Sequence, residues 1–428
     1  MSTIKMQENL KLLQLLITEV KMVNKKTTLI LVIVLYVSVA AAARTEFYSI
    51  NAKEGKISSS PPTDDGICKT MVEPRGYICH EHTVTTKDGY ILSMQRMPNS
   101  RSGQPAKNPP VLLQHGLMMD GITWLLNSPT ESLAFILADN GYDVWIANTR
   151  GTKYSSKHES LSPSDQAYWE WSWDELVTYD LTSFVQFVYN NTGKKLHYAG
   201  HSLGTLMAFA SFSENKLLNK IRSAALLSPI AHLAHMLSPL ARTASEIFLA
   251  EDMYWLGLRE FSPRAKPAVQ LLEYFCSQPG INCSDLMIYF TGQNCCLNSS
   301  TADTFLKHEP QPTATKNMIH LAQMIRTGTI AMYDYGAVDN MNHYGQSTPP
   351  MYNVTSIPND FPLFMSYGGK DLLSDTDDVK LLLQNLKNHK ANKLVVQYIN
   401  NYAHADFVFG FNANQLVYNP LMAFLNLN

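Results

Sequence analysis

Six short apolar runs punctuate the chain: Val111 to Gln114, Tyr142 to Ala147, Leu196 to Ala199, Ala224 to Leu227, Pro362 to Tyr367 and Leu394 to Ile399. Each is too short for a core helix and is followed by a stretch of helical spacing. Strands that are apolar on both faces and alternate with helices predict a mostly parallel sheet covered on both sides, an α/β class of fold. Ahead of them, His80 to Met97 alternates apolar and polar residues on either side of Lys87-Asp88-Gly89. Asp-Gly between two such runs predicts a β-hairpin. Arg101 to Pro110 reads as a polar connection, and Ser58 to Asp65, rich in Ser, Pro and Asp, as a loop.

The alternation stops between about residues 231 and 345 and resumes at Phe361. The intervening text is rich in Met, Leu and aromatic residues at helical spacing. It predicts a helical insertion, a cap over the carboxyl edge of the sheet. The expected organisation is therefore 1–43 as an N-terminal extension and signal peptide, 44–230 and 346–428 as two parts of one core, and 231–345 as the cap or lid. No internal repeat is visible.

The N-terminal assignment follows from Leu29 to Ala43, continuously apolar except for Ser38, preceded by Lys25-Lys26 and closed by Ala41-Ala42-Ala43. A basic start, a short apolar stretch and a small-residue cleavage site make a secretory signal. Met22 as the effective start gives it an ordinary length, and the mature chain then begins near Arg44. The expected location is the secretory route, secreted or vacuolar/lysosomal. That compartment makes the six cysteines legible as disulfides. Cys68 and Cys79 stand apart and are expected to pair; Cys276, Cys283, Cys295 and Cys296 form a later cluster. Cys295 and Cys296, being adjacent, are not expected to bond to each other, and no histidine flanks the cluster at zinc-ligand spacing. Asn190, Asn282, Asn298 and Asn353 open N-glycosylation sequons. A formal net charge of −2 with no long basic run removes electrostatic support for nucleic-acid binding.

The chemistry is carried by Gly200-His201-Ser202-Leu203-Gly204. An apolar strand leads in and a small-residue helical run, Thr205 to Ser211, leads out. A G-x-S-x-G in that context is a nucleophile elbow, a sharp turn that lifts a serine out of the sheet. The serine needs a histidine base, and the histidine an orienting carboxylate. On such sheets the order is Ser, Asp or Glu, His. Asp371 follows the apolar strand ending in Gly368-Gly369, with Asp375 as runner-up; Asp377 and Asp378 suit the start of a helix, Asp378 to Leu386. His404 is the histidine beyond the final strand, whereas His389 precedes it and His201 points away from the serine. The oxyanion should be met by the backbone N–H groups of Leu203 and of Leu117, with Gly116 and Met118 as neighbours that could substitute. His115 is expected to shape that loop, and Arg150, Trp171 and Trp173 to be structural.

These motifs resemble the acid lipases of the α/β-hydrolase superfamily, the gastric and lysosomal group and their plant triacylglycerol lipase relatives. The resembling text runs from about Cys79 to Asn419. It includes Gln114-His115-Gly116-Leu117, Asn148-Thr149-Arg150-Gly151, Trp171-Ser172-Trp173-Asp174-Glu175, Asp334-Tyr335-Gly336, Gly368-Gly369-Lys370-Asp371 and Tyr402-Ala403-His404-Ala405-Asp406-Phe407. The resemblance implies an α/β-hydrolase fold, a Ser202-Asp371-His404 triad, an oxyanion hole at Leu117 and Leu203, a lid, and neutral-lipid esters as substrates met at a lipid–water interface. No metal or organic cofactor is expected, and oligomeric state is left open. Leu203 departs from the glutamine of animal members, and the connection from Asp371 to His404 is longer than theirs. Steryl-ester hydrolysis, lipid acyl transfer and silent lipid binding are the rival readings.

Overall fold

The computed structural model describes residues 65–263, 288 and 290–428. The signal segment, Arg44, most of the Ser58–Asp65 loop, Cys276, Cys283 and Asn282 lie outside the described residues.

The hairpin forms where Asp-Gly predicts it: β1 (His80–Thr85) pairs antiparallel with β2 (Tyr90–Met97). The parallel strands are β3 (Pro110–Gln114), β4 (Asp143–Ala147), β6 (Leu196–His201), β7 (Ile221–Leu227), β10 (Leu363–Gly368) and β11 (Leu394–Ile399). A short β5 (Lys157–His158) pairs with β2. The result is a nine-stranded sheet in the order β1-β2-β4-β3-β6-β7-β10-β11, parallel from β4 onward.

Both faces of these strands are apolar because each meets its own layer. Leu112, Trp145, Ala224, Leu226 and Met365 join one core with α2 (Thr182–Thr192) and α3 (Leu203–Ser213). Their chain neighbours Val111, Leu113, Val144, Ile146, Ala225, Leu227 and Phe364 face a second core with α1 (Leu133–Asp139) and α10 (Asn419–Leu427). Successive strand side chains point to opposite faces, which produces this partition. All of α3 is buried, in keeping with a helix apolar on every side. Burying each of Leu206, Phe209 and Phe212 there contributes roughly 1.5–3 kcal/mol.

β11 corrects one expectation. Read as a fully buried strand, it is instead the edge strand, and Val395 and Val396 are each 41% exposed. It has β10 on one side and, among the described residues, no strand beyond it.

The described residues between 239 and 344 fold mainly as helices: α4 (Pro239–Glu246), α5 (Leu249–Trp255), α6 (Ser299–His308), α7 (Thr315–Thr327) and α8 (Ala337–Tyr344). α7 packs on α4 and α5. A two-residue ladder between β8 (Glu260–Phe261) and β9 (Thr313–Ala314) interrupts the helices, although no strand is legible there in the sequence. In the second part of the core, α9 (Thr376–Asn385) starts two residues earlier than its polar text suggests. Among the described residues no helix is long and apolar enough to cross a membrane.

Register is what assembles the site. Gln114 pairs with Gly200, so the loops leaving β3 and β6 emerge side by side. Gly368 pairs with Ile399, so the segments carrying Asp371 and His404 leave adjacent strand ends.

Candidate active site

Ser202 sits between β6 and α3 with φ 55° and ψ −119°. A non-glycine residue at positive φ is strained by about 1–3 kcal/mol, and such strain persists only where the surroundings enforce it. Here Thr205 donates to the Ser202 carbonyl through its N–H (2.8 Å) and its hydroxyl (2.6 Å), and the Ser202 N–H donates to Leu227 O (3.1 Å). The flanking glycines are required by close approach. A Cβ on Gly200 would lie 2.9 Å from the Gly204 carbonyl carbon, and one on Gly204 would lie 2.7 Å from Gln114 O.

Asp371 and His404 meet directly. The His404 Nδ1 lies 3.0 Å from Asp371 Oδ1 and 2.9 Å from Oδ2, with both residues buried. The backbone N–H groups of Leu373 (2.9 Å) and Ser374 (2.8 Å) also donate to Oδ1. Burial pushes the Asp371 carboxyl up, but His404 and the two amides together outweigh it and hold the group below the ordinary aspartate value. A carboxylate at Nδ1 fixes that nitrogen as the donor, so Nε2 is the ring nitrogen left to accept a proton. The competing aspartates have other partners. Asp375 caps α9, accepting the Asp377 N–H at 2.8 Å, and Asp378 accepts both the N–H and Nδ1 of His235.

His201 supports the site without a base's chemistry. Its Nε2 bonds to the His404 carbonyl at 3.0 Å, and the two rings lie 4.8 Å apart. Burial, helped by His404, pushes His201 down to about 3, so it stays neutral. His389 caps the Phe361 carbonyl far from the elbow in sequence.

The loop after β3 passes Ser202 closely: a Cβ on Gly116 would lie 3.0 Å from Ser202 Cβ. His115 locks this loop, bonding Gly116 O through Nδ1 (2.8 Å) and receiving the Thr149 N–H at Nε2 (3.1 Å). Burial drives it down to about 4, matching the structural role expected of it. Leu117 and Leu203 line one narrow cleft, about 10 Å³, together with Trp171, Pro312 and Asn317. Leu203 opens α3, where a first-turn N–H has no intrahelical acceptor. Arg150 lies outside the chemistry: fully buried, it bonds Asp180 and Asp88 and covers the Tyr90 ring at 3.8 Å, tying the hairpin to the core. Trp173 stacks on His320 at 4.2 Å.

Several supporting residues escaped sequence reasoning. Thr291 O accepts the N–H groups of His404 (3.2 Å) and Leu372 (3.4 Å), bridging the two partner-bearing loops. Gly292 follows at φ 101°, where a Cβ would meet Lys370 O at 1.9 Å. Asp406 accepts the N–H groups of Ala403 (2.8 Å), Cys295 (3.1 Å) and Cys296 (3.0 Å). Only the Gly at 292 and the Asp two residues after His404 signal this in the text. Cys68 and Cys79 form the expected disulfide. Cys295 and Cys296 are also bonded to each other, against expectation. Their amides converge on one carboxylate, and that turn brings the adjacent side chains together. Of the sequon asparagines, Asn190 and Asn353 are exposed and Asn298 is half-buried.

The family described as a partial α/β-hydrolase lipase region matches residues 68–128, and the α/β-hydrolase fold family matches residues 109–410. Triacylglycerol lipase 2 of Arabidopsis thaliana is 50% identical over 378 residues, covering 86% of this chain and 90% of its own. Human gastric triacylglycerol lipase is 36% identical over 382 residues, covering 87% and 94%. A solved lipase in its open form shares the fold with a TM-score of 0.52 at 14% identity, over 82% of this chain and 99% of that one. The chain therefore belongs to the α/β-hydrolase lipase family that includes the gastric and plant triacylglycerol lipases.

Proposed function

We propose that this protein is a serine lipase that hydrolyses the carboxylic ester bonds of triacylglycerols or related neutral lipids through an acyl-enzyme. The observation that carries the reading is the buried Asp371–His404 pair beside the strained elbow of Ser202, in a chain half identical to a plant triacylglycerol lipase. Ser202 Oγ attacks the ester carbonyl as His404 Nε2 takes its proton. Asp371 keeps Nδ1–H in place and offsets the imidazolium charge. The N–H groups of Leu117 and Leu203 receive the oxyanion, each worth about 3 kcal/mol in comparable sites. His404 then protonates the leaving alcohol, and water releases the fatty acid by the same route.

Residues 231–345 act as a cap and lid on a core made of 44–230 and 346–428. The cleft beside Leu117 has about 10 Å³ of free space, far below the roughly 300–1,000 Å³ of sites that enclose drug-sized ligands. Admitting an acyl chain therefore requires the cap to move. Its α4–α5 segment presents Leu237, Phe248, Trp255 and Leu256 to solvent, Trp255 at 82% exposure. An apolar face of this kind suits a lipid surface. Residues 1–43 direct the chain to the secretory route, and Asn190, Asn282, Asn298 and Asn353 are its glycosylation sites.

The test is a substrate panel on the mature protein: emulsified long-chain triacylglycerol, a cholesteryl ester and a soluble short-chain ester, with and without an acceptor alcohol. Fatty-acid release fastest from triacylglycerol supports the reading. Preference for the cholesteryl ester, or transfer to the alcohol in place of hydrolysis, would reassign the substrate or reaction. No turnover of any ester would favour a silent binding protein.

A further inference from the structure

The loop that carries Leu117 is held from outside by a strap, residues 309–313, that joins α6 to β9. The Gln311 N–H donates to Met118 O (2.7 Å), and the Asp120 N–H donates to Glu309 Oε1 (3.0 Å). The strap is anchored in turn by the Lys153 N–H, which donates to Gln311 Oε1 at 2.9 Å. Met118 adopts φ 55°, so the loop sits in a conformation that its neighbours must enforce. Pro312 and Thr313 of the strap line the same cleft as Leu117.

At this joint two carboxyls face each other. Asp120 is 0% and Glu309 1% exposed. Asp120 Oδ1 receives the Ile122 N–H at 2.8 Å. Asp120 Oδ2 and Glu309 Oε2 have no hydrogen-bond partner among the described residues, and the Asp120 N–H on Glu309 Oε1 brings the two buried carboxyls to one joint. Two carboxylates side by side in a dry site cannot both ionise cheaply; one shared proton turns the repulsion into an O–H···O bond. Neither group has a part in the proposed ester chemistry.

We infer that Asp120 and Glu309 are positioning residues for the reaction: one proton held between them fastens the strap to the oxyanion loop, and its loss loosens the loop and lowers turnover. The inference rests on the proposed role of Leu117 N–H. The electrostatics agree with it. Burial pushes Asp120 up to about 6, and burial together with the Asp120 charge drives Glu309 well above the ordinary glutamate value. Lys153, on the turn under Gln311, acts on the pair; along the chain His115 opens the loop and His308 precedes Glu309. Lys153 favours ionisation of Asp120, and His115 is neutral through burial.

The test is the pH dependence of kcat and KM on a soluble short-chain ester, for the mature protein, Glu309→Gln and Asp120→Asn. Either amide supplies a permanent N–H across the joint and removes the shared proton. The wild-type kcat should fall on the alkaline side with KM little changed. The ratio of variant to wild-type kcat should rise as pH climbs past the point where the pair gives up its last proton, about tenfold for each pH unit beyond it. Melting temperature supplies a readout independent of activity. A carboxyl raised in the folded state stabilises at low pH and loses that contribution as pH rises through its folded value. The wild type should therefore lose stability relative to Glu309→Gln from pH 5 to pH 8. Superimposable alkaline limbs in all three proteins, or an equal loss at every pH in the variants, would overturn the inference. Ser202→Ala, assayed at pH 5 alongside, separates the two levels: an active Ser202→Ala refutes the reading of the site itself, whereas an inactive one with superimposable limbs refutes the latch alone.

Discussion

Replacing Asp371 by Asn tests the geometry of the site more sharply than deleting any group. Both backbone amides, Leu373 and Ser374, donate to Oδ1. An asparagine must keep its carbonyl oxygen there, because turning it would set an NH2 against two N–H donors. The NH2 then occupies the Oδ2 position, 2.9 Å from His404 Nδ1. Nδ1 becomes an acceptor, the ring proton moves to Nε2, and the base toward Ser202 is lost. The wrong tautomer in a serine protease triad lowers kcat by about 10⁴, equivalent to about 5 kcal/mol of barrier. We expect a loss of that order on a soluble short-chain ester, with KM within a few-fold and the melting temperature close to wild type. Asp375→Asn is the control. Asparagine caps a helix as well as aspartate does, so the substitution should leave both stability and kcat little changed, kcat within about twofold. A fall of less than about thirtyfold in Asp371→Asn, or an equal fall in Asp375→Asn, would refute the assignment of the carboxylate.

Gly292→Ala forces a Cβ to within 1.9 Å of Lys370 O at φ 101°; it should lower stability by about 2 kcal/mol or more and kcat with it, read by thermal melting and ester turnover. Asp174 is driven up to about 7 by burial against its bonds from Tyr333 and Tyr352. Its contribution to stability is thus present at low pH and lost as pH rises through about 7, so Asp174→Asn should flatten the fall in melting temperature between pH 5 and pH 8. Trp255→Ser with Leu256→Ser should reduce hydrolysis of emulsified triacylglycerol at least about tenfold more than that of a soluble ester, by removing apolar area worth a few kcal/mol at an interface; equal losses on both would count against a lipid-facing cap.

Much of the core was legible because its signals are local. Apolar runs such as Val111–Gln114 mark strands buried on both faces, Asp88-Gly89 marks a hairpin, and Gly200 to Gly204 a strand-to-helix turn. The triad order followed from chain order once the elbow was recognised. What escaped reading depends on register and on partners distant in sequence. Leu394–Ile399 has the text of a buried strand, yet nothing local says that the sheet ends there. Asp120 and Glu309 are 189 residues apart, and neither has a pattern that predicts burial against the other. Thr291 acts through its backbone carbonyl, which carries no residue-type signature, and Asp406 gathers backbone amides of Cys295 and Cys296, more than a hundred residues away in sequence. Cys295 and Cys296 bond to each other where both their amides converge on Asp406, a partner distant in sequence, so adjacency argued the wrong way.

The most direct test of the central claim is fatty-acid release from emulsified long-chain triacylglycerol by the mature protein and by Ser202→Ala, prepared identically and matched in melting temperature. The account predicts steady release by the first and a loss of several orders of magnitude in the second, with a phosphonate probe labelling the wild type at Ser202. Comparable release by Ser202→Ala, or a label on any other residue, would contradict it.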